Sequence, residues 1–132
     1  TIKHFDLLKD VIAELKTYGC RVSVFIETDE EKIVKAFEAG ADRIELYTEP
    51  YATSFKNSPD IAIKPFIKAA NIAMETGLGI NAGHDLNLEN LSFLKKNIPF
   101  LDEVSIGHAL ICDALYYGLE NTIQMYLRKL NQ

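Results

Sequence analysis

The sequence predicts an α/β fold in which the strands of a parallel sheet alternate with helices. Two hydrophobic patterns follow each other along the chain: short β-branched runs typical of buried strands, and longer segments with the i, i+3, i+4, i+7 spacing of amphipathic helices. Glycine often follows the helical segments, where a left-handed residue is usual. Strands joined by helices of this length run parallel with right-handed crossovers, and their order here is one helix followed by four β-α units.

The first half of the chain predicts two strands and two helices. Thr28 and Glu31 are three residues apart, which is the spacing of a capping box at the start of a helix. The run RVSVFIE is β-branched and aromatic and predicts a largely buried strand. In order, the predicted elements are a helix over 5–18, a strand over 21–27, a helix from the capping box to about residue 39, a strand over 43–47 and an irregular segment over 48–59.

The second half predicts two further strands and four helical segments. Pro65 fits only the first turn of a helix, so that helix starts at about residue 61 or 64 and runs to 76. Asn87 is a favourable N-cap for the helix over 88–97. Gly118 interrupts the helical pattern near the end of the chain. The remaining predicted elements are strands over 79–82 and 103–106 and helices from 107–108 to about 117 and over 119–130.

Two architectures fit this order of elements in a single segment, 1–132. One is a small doubly wound sheet, and the other is a section of a (β/α)₈ TIM barrel. A barrel of this kind usually has about 250 residues, so four β-α units would supply about half of it. The leading helix has no strand before it, as expected if a barrel were cut there. A chain of 132 residues buries one core.

The composition argues against several classes of partner. There are 14 Lys and Arg against 19 Asp and Glu, whereas broad binding to nucleic acid or anionic membranes needs a positive field. The apolar runs fall far below the roughly 20 residues of a membrane-spanning helix. Cys20 and Cys112 form no CxxC pair, which fits a reducing cytoplasm. No secretory leader opens the sequence, and because it begins with Thr1 we expect a piece of a longer protein.

Candidate site residues follow from a rule common to both architectures, that ligands bind at the carboxyl ends of parallel strands. His84 and His108 each come directly after a glycine at such an end, and imidazole can donate or accept a proton near neutral pH. They could instead cap the following helices or form a metal pair, although no third ligand lies at short spacing. The other strand-end candidates are Glu27, Thr28, Asp29, Glu45, Tyr47, Thr48, Asn81, Gly83, Asp85, Ser105 and Gly107.

Two of these positions suggest a particular chemistry. Gly107 and His108 open a helix directly after the last strand, and the free N–H groups of a first helical turn can hold a phosphate. Glu45 alternates with Ile44 and Leu46, so its carboxylate points away from them, toward the interior in a barrel. It either pairs with a cation from a neighbouring strand or acts as a charge stabiliser or an acid/base group.

In order and spacing, RVSVFIETDEEKI, GADRIELYTEPYA, GLGINAGHDLNLEN, EVSIGHALI and GLENTI resemble the C-terminal half of the pyridoxine 5′-phosphate synthase family. The resemblance implies a (β/α)₈ barrel that condenses 3-amino-2-oxopropyl phosphate with 1-deoxy-D-xylulose 5-phosphate, in vitamin B6 biosynthesis. The products are pyridoxine 5′-phosphate, inorganic phosphate and water. It also implies a cytoplasmic homo-oligomer, typically an octamer, that uses no metal and no organic cofactor and has no nucleic-acid or membrane partner.

The resemblance assigns roles by position. His84 matches the proton donor, Glu45 the transition-state stabiliser, and Gly107 with His108 the segment that binds the aminoketone phosphate. Asp85 stands where the family usually has a substrate-contacting glycine, and it adds a negative charge there. The family's first half, which carries the proton-accepting residues, has no match here, so we expect the chain alone to be inactive and to dimerise or aggregate. The alternative is a non-catalytic phosphometabolite-binding or scaffold domain.

Overall fold

The computed structural model describes residues 3–131 and confirms an α/β fold with four parallel strands alternating with helices. No helix within 3–131 is long and apolar enough to cross a membrane. The elements are α1 (Phe5–Thr17), β1 (Ser23–Ile26), α2 (Glu30–Glu38), β2 (Arg43–Tyr47), α3 (Glu49–Phe55), α4 (Pro59–Ala62), α5 (Lys64–Thr76), β3 (Gly79–Gly83), α6 (Leu91–Asn97), β4 (Glu103–Ser105), α7 (His108–Tyr117) and α8 (Leu119–Leu130).

The strands lie in the order β1-β2-β3-β4, so each one pairs with the next along the chain. A doubly wound sheet reverses its strand order at a switch point, and this sheet shows no reversal. Arg21, just before β1, donates to both carboxylate oxygens of Glu103 on β4, at 2.8 and 2.9 Å. The strand register places Glu103 level with Phe25, four residues beyond Arg21, so in a flat sheet the two residues would be about 14 Å apart across the strands and about 13 Å apart along them. Their side chains could not span that separation. The two side chains meet because the sheet curves, and its concave face is the one that carries them.

The two faces of the sheet differ in their neighbours. Ile44, Leu46, Ile80 and Ala82 are fully buried against the helices, and they form the centre of the hydrophobic core. The residues that alternate with them point to the concave face, where the described residues supply no second layer. This alternation follows directly from the period of two in an extended chain. The concave face therefore carries the polar side chains of the strands.

Several predicted boundaries are wrong by a few residues, for local reasons. Asp29 rather than Thr28 caps α2, because its side chain accepts the backbone N–H of Lys32 at 3.1 Å. Strand β1 spans Ser23–Ile26, shorter than the predicted 21–27. Asn87 Oδ1 does accept two backbone N–H groups, but it stabilises a turn at 88–90 and α6 begins only at Leu91. Gly118, at φ +79°, separates α7 from α8 as predicted.

The segment predicted to be irregular, 48–59, contains the short helix α3. Pro50 lies in the first turn of this helix, where its missing N–H costs no hydrogen bond. Tyr51 anchors α3 because its ring is completely buried, edge-on against Phe55 and Phe66. Its hydroxyl donates to the carbonyl of Asn90 at 2.7 Å, which ties α3 to the turn before α6.

Candidate functional site

A cleft of about 550 Å³ opens at the carboxyl ends of β3 and β4. Its walls include His84 and Asp85 after β3 and Ser105, Gly107 and His108 at and after β4. Both histidines predicted from the Gly-His pairs thus line one cleft, because parallel neighbouring strands end at the same edge of the sheet. The roles assigned to them stay predictions.

His84 lies on a strained turn, the 83–85 turn, formed by Gly83, His84 and Asp85. Among the described non-glycine residues only His84 and Asp85 have positive φ, at 91° and 57°. Such backbone costs energy and persists only where the surroundings hold it. Here the completely buried Thr48 hydroxyl contacts the carbonyls of Gly83 and His84, at 2.7 and 2.5 Å. On the other side, the buried Asn90 amide donates to the Asp85 carbonyl at 3.1 Å.

The imidazole of His84 has two side-chain neighbours. Its Nδ1 lies 3.2 Å from a carboxylate oxygen of Asp85. Its ring meets the Tyr47 ring edge-to-face, with the centroids 4.9 Å apart, and Tyr47 meets Phe25 in the same way at 5.4 Å. Burial raises the pKa of the Tyr47 phenol, with further increases from the charges of Glu49 and Asp85. Tyr47 therefore presents a protonated hydroxyl and an aromatic edge beside His84 at neutral pH.

Glu45 lies on the concave face of β2, as its alternation with Ile44 and Leu46 predicts. Its carboxylate passes directly over Gly83, so closely that a Cβ there would collide with Oε1. No salt bridge to Glu45 is found within residues 3–131. The neighbouring cation Arg43 contacts Asp102 at 3.5 Å and Glu103 at 3.7 Å instead, toward the opposite ends of the strands. The Glu45 carboxylate thus lies over Gly83, next to His84 in the chain, without a cationic partner among the described residues.

Gly107 and His108 begin helix α7 next to this cleft. Gly107 is the N-cap, and its carbonyl accepts the N–H of Ile111 at 3.1 Å. The first N–H groups of a helix have no acceptor within it, and the helix dipole favours negative charge at this end. His108 is exposed in the first turn. The arrangement is chemically suited to an anion such as a phosphate.

A second cleft of about 370 Å³ lies beside the first strand and includes Phe25, Glu27, Lys32 and Tyr47. The carboxylate of Glu27, one of the strand-end candidates, forms an ion pair with the Lys32 ammonium. The hydrogen bond that the Lys32 ammonium donates to Glu27 raises the pKa of Lys32, which is therefore charged at neutral pH. Sequence reasoning did not single out Lys32, because only the fold brings the first turn of α2 to this edge.

Two further candidates have mainly structural contacts. Asn81 lies in the middle of β3, where its side chain accepts from Arg43 at 3.0 Å and donates to Glu103 at 3.2 Å. Thr48 is buried and reaches the 83–85 turn rather than the cleft. The sequence analysis also missed Asn90, whose contact with that turn is set by tertiary packing. Across 3–131, no three His, Cys, Asp or Glu side chains form a group that could hold a metal ion.

The chain is similar to a family of known proteins along its whole length. The model of the family described as "Pyridoxal phosphate biosynthesis protein PdxJ" matches residues 1–132. A protein named pyridoxine 5′-phosphate synthase from Cytophaga hutchinsonii is 64% identical over 132 residues, which is all of this chain and 56% of the relative. Those of Christiangramia forsetii and Parabacteroides distasonis are both 57% identical, over 98% and 97% of the chain and 55% and 54% of the relative. The chain spans about half the length of the curated relatives it matches.

Proposed function

Because the chain belongs to the family of pyridoxal phosphate biosynthesis protein PdxJ, we propose that the protein containing it is a pyridoxine 5′-phosphate synthase. It would condense 3-amino-2-oxopropyl phosphate with 1-deoxy-D-xylulose 5-phosphate and release pyridoxine 5′-phosphate, inorganic phosphate and water. The single observation that carries this proposal is the convergence of His84 and His108 on one cleft beside Glu45. The consecutive strand order and the curvature of the sheet support a (β/α)₈ barrel of which this chain is about half.

In this proposal His84 is the general acid. Ring closure expels water and phosphate, so a proton must reach oxygens that are poor leaving groups. Imidazolium can supply that proton near neutral pH. Glu45 is the charge stabiliser, because a fixed carboxylate offsets the cationic iminium character that develops when an amine condenses with a ketone. Its lack of a cationic partner within 3–131 supports this role over the ion pair that the sequence also allowed.

The N-terminus of α7 would hold the phosphate of the aminoketone substrate. Gly107 and His108 supply backbone N–H groups there, and these bind an anion without adding a fixed charge. The substrates are thus phosphorylated small molecules. Asp85 places a carboxylate at the edge of the same cleft, which favours a phosphate seated toward α7 rather than against the 83–85 turn. Assembly into a cytoplasmic homo-oligomer, typically an octamer in the family, stays a prediction of the sequence.

The test compares two histidine variants in the native full-length protein. We expect His84→Gln to lower kcat by about 10²- to 10⁴-fold, the usual contribution of a general acid. His4→Gln removes an exposed histidine outside the cleft and should leave turnover unchanged. Binding of 3-amino-2-oxopropyl phosphate, measured by calorimetry, should persist in both variants.

Two outcomes would contradict the proposal. Equal turnover in wild-type protein and His84→Gln would remove His84 from the chemistry. If the wild-type protein binds both phosphorylated substrates but releases no pyridoxine 5′-phosphate, the alternative of a non-catalytic binding or scaffold domain is favoured. Such a domain would keep the anion site and lack the condensation activity.

A further inference from the structure

The side chain of Asp85 is placed to act on the imidazole of His84. An Asp85 carboxylate oxygen lies 3.2 Å from His84 Nδ1, and both side chains are about half exposed, at 51% and 50%. An exposed pair of this kind contributes little to stability on its own. Its significance depends on whether the fold holds the two groups in this arrangement.

The fold does hold them, through the backbone of the 83–85 turn. His84 and Asp85 occupy consecutive left-handed conformations, which β-carbons disfavour. Two side chains that are almost completely buried maintain that turn: Thr48 at the His84 carbonyl and Asn90 at the Asp85 carbonyl. Asn90 is fixed in turn, because its Oδ1 accepts the N–H of Asn87 at 2.9 Å. Buried contacts therefore fix the backbone from which the two neighbouring side chains project.

We propose that Asp85 is a positioning residue that selects the tautomer of His84, a role that rests on the proposed function of His84 as proton donor. The negative charge of a carboxylate oxygen 3.2 Å from Nδ1 favours a proton on that nitrogen over a lone pair. That leaves Nε2 as the nitrogen that exchanges a proton with the substrate. In the condensation the Nε2 proton passes to the departing oxygen, Nδ1 keeps its proton, and Asp85 stays ionised throughout.

A competing role for Asp85 is a purely electrostatic one, in which its charge repels the substrate phosphate. The two roles predict different kinetics. Loss of a tautomer-selecting partner lowers kcat and changes KM little, because the imidazolium can then lose its proton from the wrong nitrogen in a fraction of the molecules. Loss of a repelling charge lowers KM and leaves kcat unchanged. The conservative variant Asp85→Asn separates them, since asparagine has the same shape and tolerates the left-handed backbone.

The experiment measures the His84 tautomer directly, without turnover. The native full-length protein is labelled with ring-¹⁵N histidine, and the His84 signals are those missing from His84→Gln. At a pH where the ring is neutral, the wild-type shifts should show a proton on Nδ1. In Asp85→Asn and Asp85→Gly the population should move toward the Nε2–H form, since an amide can donate or accept and glycine does neither. Identical shifts in all three proteins would overturn the proposal.

Kinetics on the same proteins complete the test. We expect Asp85→Asn to lower kcat by about tenfold, the lower end of what orienting partners of a functional histidine contribute. KM should stay within a factor of about two. A lowered KM with unchanged kcat and an unchanged tautomer would establish the electrostatic role instead. If wild-type protein has no synthase activity but the tautomer still changes with Asp85, the proposed function fails while the pairing of Asp85 with His84 stands.

Discussion

The two faces of the sheet are built from the same strands but carry different kinds of side chain. On the helix side, Ile44, Leu46, Ile80 and Ala82 are at most 1% exposed and contribute only apolar packing. On the concave side, the alternating positions carry charge, aromatic rings and amides. Arg43 and the acidic residues it contacts lie toward the amino ends of the strands, and Glu45 lies toward the carboxyl ends.

In each strand, even-numbered and odd-numbered residues lie on opposite faces, so residues that stabilise the core alternate with residues that can belong to the candidate site. In β2 the even positions Ile44 and Leu46 stabilise the fold, and the odd positions Arg43, Glu45 and Tyr47 carry part of an ion-pair network and part of the candidate site. A substitution should therefore change one property or the other, according to the face it lies on. The exceptions are residues on the helix side that reach the site through hydrogen bonds.

The largest effect on stability should come from Leu46→Ala. Leu46 is completely buried against the helices, and a Leu→Ala change in such a position costs about 2–5 kcal/mol through lost burial and a residual cavity. Leu115→Ala is the matched control, because Leu115 is 82% exposed and the same change there should cost less than about 0.5 kcal/mol. Urea unfolding of the native protein measures both. Equal losses would contradict the division between the two faces.

A second substitution, Gly83→Ala, tests the close approach of Glu45 to β3. The new methyl group would collide with Glu45 Oε1 and lie 3.0 Å from Ser105 Cβ, so we expect a loss of about 1–3 kcal/mol from overpacking. The double variant Gly83→Ala/Glu45→Ala removes the first collision and should recover part of that loss. Thermal unfolding of the wild type, both single variants and the double variant gives the interaction energy. Strict additivity would show that the carboxylate moves away freely.

Much of the fold and part of the site could be predicted from the sequence, and the reason is local pattern. Strand β2 was predicted with its observed bounds, because RIELY alternates strictly between apolar and polar residues. The cleft residues His84 and His108 followed from the rule that parallel strands present their carboxyl ends at one edge. The alternation of strands and helices by itself left a barrel section and a doubly wound sheet open, and the resemblance favoured the barrel. The consecutive strand order lacks the reversal of a doubly wound sheet.

What could not be predicted depends on contacts between distant residues or on competition between neighbours. The contact of Asn90 with the 83–85 turn and the anchoring of α3 by Tyr51 both depend on tertiary packing, for which a single sequence shows no periodic signal. Asp29 and Thr28 are both good N-caps, and the choice between them follows from which one keeps an extended backbone at the helix start.

Tyr51→Phe should lower the unfolding free energy by a smaller amount. The substitution tests a hydrogen bond that joins α3, on the helix side, to Asn90, which contacts the 83–85 turn. The variant keeps the buried ring and removes the hydrogen bond to the Asn90 carbonyl, worth about 1 kcal/mol. Burial raises the pKa of this phenol, so the hydroxyl is a donor at all ordinary pH values. Tyr18→Phe is the control, since Tyr18 is exposed. Chemical denaturation compares them, and a Tyr51→Phe loss no larger than the control would exclude a stabilising hydrogen bond.

The smallest effect should be a dependence on pH at the amino ends of the strands. Asp42 accepts the N–H of Val22 at 2.8 Å and pairs with Lys16 at 2.9 Å, and these contacts hold the pKa of its carboxyl below the usual range, the backbone bond contributing most. A lowered folded-state pKa means that the contribution to stability is present above the unfolded pKa, near 4, and is lost as the pH falls through the folded value.

Asp42→Asn should therefore lower the unfolding free energy at pH 7 by about 0.5 kcal/mol, the scale of an exposed ion pair. The difference between wild type and variant should shrink as the pH falls below about 4, because the carboxyl then takes up a proton more readily in the unfolded protein than in the folded one. Asp10→Asn, on the exposed surface of α1, controls for the loss of one negative charge. Urea unfolding at pH 7 and pH 3 measures both variants. A difference that stays constant with pH would contradict a contribution from the charge, because asparagine keeps an acceptor for Val22 and loses the charge that pairs with Lys16.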